Sequence, residues 1–335
     1  MARCIRLNNS EHTPPRDYRP AWWLPGANLQ TLWAARIGHA PSVAAVRERL
    51  ELPDGDFVDL AWRGDPRTAV PLILLLHGLE GGLASPYVRR LLHAVAERGW
   101  TGCLLQFRGC SGEPNRLPRS YHSGDTADFA FLVETLSRRY PGRPIIACGY
   151  SLGGNVLLKY LGEQGRACRL AAGVAVSVPF DLAAAAARLN RGFSRVYQAH
   201  LLASMQQKLR RKFAQRDSPI DLGKLADWNT FRLYDEQVTA PLHGFSSAAD
   251  YYARASSGGY LPMITTPTLI LHASDDPFLP AAAIPRPPAL APSIQLELAR
   301  RGGHVGFVAA TGGWLEQRLI LFMTDIFAKL SPQAG

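Results

Sequence analysis

Short apolar runs separated by helix-length stretches set the rhythm of this chain. Runs of strand type cover residues 71–76, 102–107, 145–148, 172–178, 268–272 and 294–298. Strands that alternate with helical segments build βαβ units and a mostly parallel sheet. Upstream, residues 46–62 read as an antiparallel hairpin around Pro53-Asp54-Gly55. The expected fold class is α/β, a mostly parallel central sheet with helices on both faces and a hairpin at its entry.

The rhythm breaks once. Between Val178 and Thr268 about ninety residues lack a convincing strand, and structureless loops of that length are uncommon. A helical insertion is therefore expected. Within it Phe193, Val196, Tyr197, Leu201, Met205, Leu209 and Phe213 recur at spacings of three and four, the apolar stripe of a helix. Arg195, Lys208, Arg211 and Lys212 fall among them. The expected organisation is an N-terminal extension over 1–45, a core over 46–181 and 253–335, and a helical lid over 182–252.

One turn in this pattern carries chemistry. Gly149-Tyr150-Ser151-Leu152-Gly153 reads G-x-S-x-G, with the run 144–148 before it and the helix-like stretch 154–161 after it. A serine in a sharp strand-to-helix turn exposes its hydroxyl at the top of a sheet, and the glycines admit close packing of strand and helix. The bland alternative is a glycine-rich turn with an incidental serine. A hydrolytic serine also needs a base and an orienting acid, in the chain order Ser, Asp, His for an α/β-hydrolase plan.

Both positions are filled. The strand-like run 268–272 ends in Ala273-Ser274-Asp275-Asp276-Pro277, which puts a carboxylate at a strand end. Asp276 is the chosen acid because it directly precedes a turn residue, and Asp275 is the runner-up. After the run 294–299 comes Gly302-Gly303-His304-Val305-Gly306-Phe307, a histidine in a flexible loop. His12, His39, His93 and His200 lie in terminal, linker or helical contexts. His272 falls inside a strand, and His243 lies in the insertion. His122 is the rival, read as opening a helix with Asp125 and Asp128 in its first turn. Chain order selects His304.

An oxyanion hole needs two backbone N–H donors. Leu152, after the serine, supplies one. Leu79, in His77-Gly78-Leu79-Glu80-Gly81-Gly82 after the apolar run 72–76, supplies the other. His77 braces that loop in this reading. Gly78, Tyr150, His77 and His122 are the pocket candidates.

Charge and composition add bounds. The net charge is +10, yet only five of 37 basic residues are lysine, which fits compositional bias as well as a binding surface. Eight basic and no acidic residues fall between Arg188 and Arg216. The adopted reading is a lid helix packed on the core with a solvated arginine face; transient contact with an anionic membrane surface is the alternative. No basic-aromatic strand pattern supports nucleic-acid binding. Five scattered cysteines, without C-x-x-C spacing, argue against a disulfide framework or zinc site. Residues 1–10 lack the apolar core of a signal peptide, and no run is long enough to span a bilayer. The expected setting is the cytoplasm. Trp22, Trp23 and Trp33 either line the pocket or pack the N-terminal segment.

These motifs together resemble the YheT-like bacterial branch of the α/β hydrolases, whose eukaryotic relatives include lipid-processing enzymes. Residues 24–31 (LPGANLQT), 77–82, 107–115 (FRGCSGEPN), 121–124 (YHSG), 273–277 and 302–307 carry the resemblance over nearly the whole chain. It implies the α/β-hydrolase fold, the triad Ser151, Asp276 and His304, and cleavage of carboxylic esters, lipid-like ones included. No metal or organic cofactor is called for. The remaining alternatives are thioester cleavage or acyl transfer on the same triad, and a catalytically silent binding protein. Oligomeric state is not legible.

Overall fold

Eight strands form one sheet in the order β1-β2-β4-β3-β5-β6-β7-β8 in the computed structural model, which describes residues 18–68 and 70–330. The strands are β1 (Val46–Glu51), β2 (Phe57–Arg63), β3 (Leu72–Leu76), β4 (Thr101–Gln106), β5 (Ile145–Tyr150), β6 (Ala172–Val176), β7 (Thr268–Ala273) and β8 (Ile294–Ala299). β1 pairs antiparallel with β2, and β2 pairs antiparallel with β4. From β4 to β8 every pairing is parallel. The expected hairpin and all six expected runs are present, each within two or three residues of its expected bounds.

The helices are α1 (Ala27–Leu32), α2 (Pro86–Glu97), α3 (Ala127–Arg139), α4 (Leu152–Gln164), α5 (Leu182–Leu189), α6 (Ser194–Lys212), α7 (Phe231–Tyr234), α8 (Ala240–His243), α9 (Ala248–Ala255) and α10 (Trp314–Leu330). Because successive strand residues face opposite sides, the all-apolar β3 feeds two cores. Leu72, Leu74 and Leu76 pack with Phe129, Leu132 and Val133 of α3 and with Val156 and Leu157 of α4. Ile73 and Leu75 pack with Val88, Leu91 and Val95 of α2 and with Leu319, Met323 and Ile326 of α10. Each such side chain contributes roughly 1.5–3 kcal/mol by leaving water. A strand buried on both faces reads as a continuous apolar run for this reason.

Between β6 and β7 the chain is helical, as expected, and the helical turns continue through Met263. The stripe on α6 is only partly a core. Tyr197, Leu202, Leu209 and Phe213 are buried with Leu225, Trp228 and Phe231, but Phe193 and Val196 are 49 % and 55 % exposed. Val196 and Leu201 line a cavity, and Phe193, just before α6, meets the Tyr197 ring edge-on.

Arg195, Arg210 and Arg211 form an exposed arginine face on α6, while its two lysines turn inward. Lys212 Nζ donates to Asn115 Oδ1 at 2.8 Å and to the Arg119 carbonyl at 2.5 Å. Lys208 Nζ donates to Glu80 Oε1 at 2.7 Å. Arg211 and Arg216 donate to the carbonyls of Gly112 and Arg116. These cations staple the lid to two loops, through the Glu80 carboxylate after β3 and through carbonyl and amide oxygens of residues 112–119 after β4. One more expectation shifts: α3 starts at Ala127, so Asp128 lies in its first turn and Asp125 precedes it. Both aspartates are ion-paired, Asp125 with Arg119 and Asp128 with the buried Arg108.

Candidate active site

The carboxyl edge of the sheet gathers the chemistry, as the ends of parallel strands do in open α/β sheets. β5 ends at Tyr150, and Ser151 turns the chain into α4 with φ 51 and ψ −118. Such a backbone is rare for a residue with a Cβ and costs on the order of 1–3 kcal/mol. The Ser151 N–H donates to the Val176 carbonyl at 2.8 Å, which holds the turn against β6. A Cβ on Gly149 would stand 2.3 Å from the Gly153 carbonyl oxygen, and one on Gly153 would stand 2.5 Å from that of Leu76. Neither site admits a side chain, so the G-x-S-x-G spacing follows from backbone contact.

Ser151 Oγ lies 2.9 Å from His304 Nε2, and His304 Nδ1 lies 2.9 Å from Asp276 Oδ2. Asp276 is 3 % exposed and also accepts the Phe278 N–H at 2.7 Å. The Phe278 ring stacks on the imidazole, with centroids 3.9 Å apart and planes at 8°. Asp275 is turned away from His304. Its Oδ1 accepts the N–H groups of Gly302 and Gly303 at 2.9 and 3.0 Å, which fastens the histidine loop to the end of β7. The His304 N–H donates to Thr31 Oγ1 at 2.9 Å. Gln30 exchanges two hydrogen bonds with the backbone of Val308. The N-terminal motif at residues 24–31 therefore clamps the histidine loop, a role its sequence did not disclose.

The loop after β3 is equally fixed. His77 is fully buried, and its Nε2 accepts the Phe107 N–H at 3.1 Å. The ring proton therefore sits on Nδ1, which donates to the Gly78 carbonyl at 2.7 Å. Burial lowers the imidazole's pKa to about 4 and keeps it neutral. The N–H groups of Gly78, Glu80, Gly81 and Gly82 go to Tyr87 Oη, Tyr121 Oη, the Gly78 carbonyl and Ser85 Oγ. Among the described residues no acceptor is recorded for the Leu79 N–H. Leu152 is the first residue of α4, where N–H groups have no intrahelical acceptor. Leu79 and Leu152 line one cavity with Ser151 and His304.

Two cavities meet at Ser151. The larger, about 470 Å³, runs between Thr31, Leu32 and Ala35 on one side and Val196, Tyr197 and Leu201 of α6 on the other. The smaller, about 90 Å³, lies under the lid among Leu182, Ala185, Phe231 and Tyr252. Gly78 lines the larger one. Tyr150 and His77 are fully buried behind the wall. His122 is not among the lining residues; its ring packs on His243, Phe245 and Tyr251. Trp33 borders a different cavity beside Trp314, Trp23 meets it edge-on, and Trp22 is 85 % exposed. Among the described residues no group of three or more His, Cys, Asp or Glu is placed to hold a metal ion, and no helix is long and apolar enough to cross a membrane.

Residues 71–310, from β3 to just past the His304 loop, match the family described as having the alpha/beta hydrolase fold, and the chain belongs to it. Within that family its likeness is to esterases and lipases. It is 41 % identical to the candidate esterase YheT of Escherichia coli (strain K12) over 97 % of this chain and 98 % of that one. It is 32 % identical to the mouse phospholipase ABHD3 over 92 % of this chain and 77 % of that one. Among solved structures the Pyrococcus furiosus esterase Pf2001 superposes with a TM-score of 0.56, covering 84 % of this chain and 93 % of that one. At 16 % identity that match speaks for the fold alone.

Proposed function

We propose that this chain is a serine hydrolase that cleaves carboxylic esters, with short- to medium-chain or lipid-like acyl groups, through an acyl-enzyme. The observation that carries the reading is the unbroken relay from Ser151 Oγ through His304 to the buried Asp276. His304 Nε2 takes the serine proton as Oγ attacks the ester carbonyl. Asp276 holds the tautomer and stabilises the imidazolium that forms. The Leu79 and Leu152 N–H groups bind the developing oxyanion. His304 then protonates the leaving alcohol and activates water against the acyl-enzyme. Asp276 and not Asp275 is the acid in this scheme, since only Asp276 faces the imidazole.

The substrate class rests on shape. A groove of about 470 Å³ walled by Leu32, Ala35, Val196 and Leu201 suits an apolar chain, and the phospholipase name of the mouse relative points the same way. Replacement Ser151→Ala tests the reading. Turnover of p-nitrophenyl esters is expected to fall by about 10⁴-fold or more; turnover at the wild-type rate excludes Ser151 as the nucleophile.

A further inference from the structure

We propose that Glu80 is a positioning residue through which lid helix α6 aims the Leu79 N–H at the oxyanion; the proposal rests on the triad reading above. The peptide units on both sides of Leu79 are pinned. The Leu79 N–H shares an amide plane with the Gly78 carbonyl and points the opposite way. That carbonyl accepts from His77 Nδ1 at 2.7 Å and from the Gly81 N–H at 3.0 Å, so the donor's direction is set from behind. The next peptide is held by the Glu80 N–H, which donates to Tyr121 Oη at 2.9 Å.

Glu80 itself has φ 56, a left-handed backbone that a non-glycine residue keeps only under external restraint. Its side chain supplies the restraint and is only 8 % exposed. Oε1 accepts from Tyr121 Oη at 2.9 Å and from Lys208 Nζ at 2.7 Å, and Oε2 accepts from Ser204 Oγ at 2.8 Å. Ser204 and Lys208 are one helical turn apart on α6. A docked lid thus closes a ring of charge-assisted bonds around a strained residue next to the oxyanion donor. When the lid is undocked, the carboxylate loses two of its three partners and the loop is free to relax. Leu79 also lines both cavities at Ser151, so lid position reaches the reacting atoms through one residue.

Glu80→Gln, Lys208→Met, the double variant and Ser204→Ala test this with p-nitrophenyl ester kinetics and with binding of an arylboronic acid, which mimics the tetrahedral state. Complete loss of one oxyanion donor costs about 10²–10³ in rate, so a loosened donor is expected to cost about tenfold to a hundredfold in kcat. KM stays within about twofold, boronate affinity falls in parallel with kcat, and the double variant loses little more than either single one. Lys208→Met and Ser204→Ala give the same reading should Glu80→Gln not fold. Wild-type kcat in the folded variants, or an effect confined to KM, overturns the clamp. Fluorophosphonate labelling of wild-type Ser151 separates the two ideas: no labelling overturns the triad reading and the clamp together, whereas labelling with unchanged variant kcat overturns the clamp alone.

Discussion

Two adjacent carboxylates do different work here. Asp276 bonds the imidazole, while Asp275 accepts two backbone N–H groups from the loop that carries it. Asp276→Asn is expected to lower kcat by about 10³–10⁴-fold, because the amide favours the wrong tautomer. Asp275→Ala leaves the relay groups in place but frees the loop, so kcat is expected to fall about tenfold with a drop in thermal stability. Steady-state kinetics on the two variants check this; equal losses would mean the roles are not divided. The grouping of Ser151, His304 and Asp276 was legible because chain order and strand ends constrain where these residues fall. Asp275, Phe278 and Tyr121 were not, since their roles depend on how three loops fold against one another and no periodicity records that.

At the scale of elements, the elbow between β5 and α4 is a contact of backbones. Gly153→Ala would force a Cβ to within 2.5 Å of the Leu76 carbonyl and 2.6 Å of the His77 carbonyl. Neither is a flexible side-chain end, so a loss of about 2–4 kcal/mol in denaturant unfolding is expected, together with lost activity. A neutral result would mean that β3 and α4 lie farther apart. The strands were readable from sequence because each is short, apolar and bounded by turn residues. The lid was readable as helix but not in orientation. A stripe of apolar residues reads alike whether it faces a core or a cavity, and a basic residue reads alike in water or bonded to a distant carbonyl. With Lys208 and Lys212 bonded inward, anionic phosphatidylglycerol vesicles at low salt are expected not to co-sediment the protein; robust co-sedimentation would restore the membrane reading.

Over the whole molecule, the sheet collects β3, β5, β7 and β8 ends at one edge, and the surrounding packing keeps several imidazoles neutral. Burial lowers His77 and His272 to about 4, and His122 and His243 to about 3 and 2. The unfolded chain holds more protons on these groups below the ordinary histidine value of about 6.5. Stability is therefore full above that value and is lost as pH falls toward 4, at up to about 1.4 kcal/mol per pH unit for each histidine. Asp235, raised to about 6 by burial, acts in the opposite sense, as do Asp128 and Asp275, which burial also raises, whereas Asp56 and Asp59, held low by their hydrogen bonds, act with the histidines. Thermal melts between pH 7 and pH 4.5 should show a falling Tm, and a flat or rising profile would contradict these burials. The same edge makes the chemical claim accessible to a direct measurement, peptide-mapped mass spectrometry after fluorophosphonate treatment. One adduct on Ser151, absent in Ser151→Ala, is the expected result. An adduct on another serine, or none on folded wild-type protein, would contradict the account.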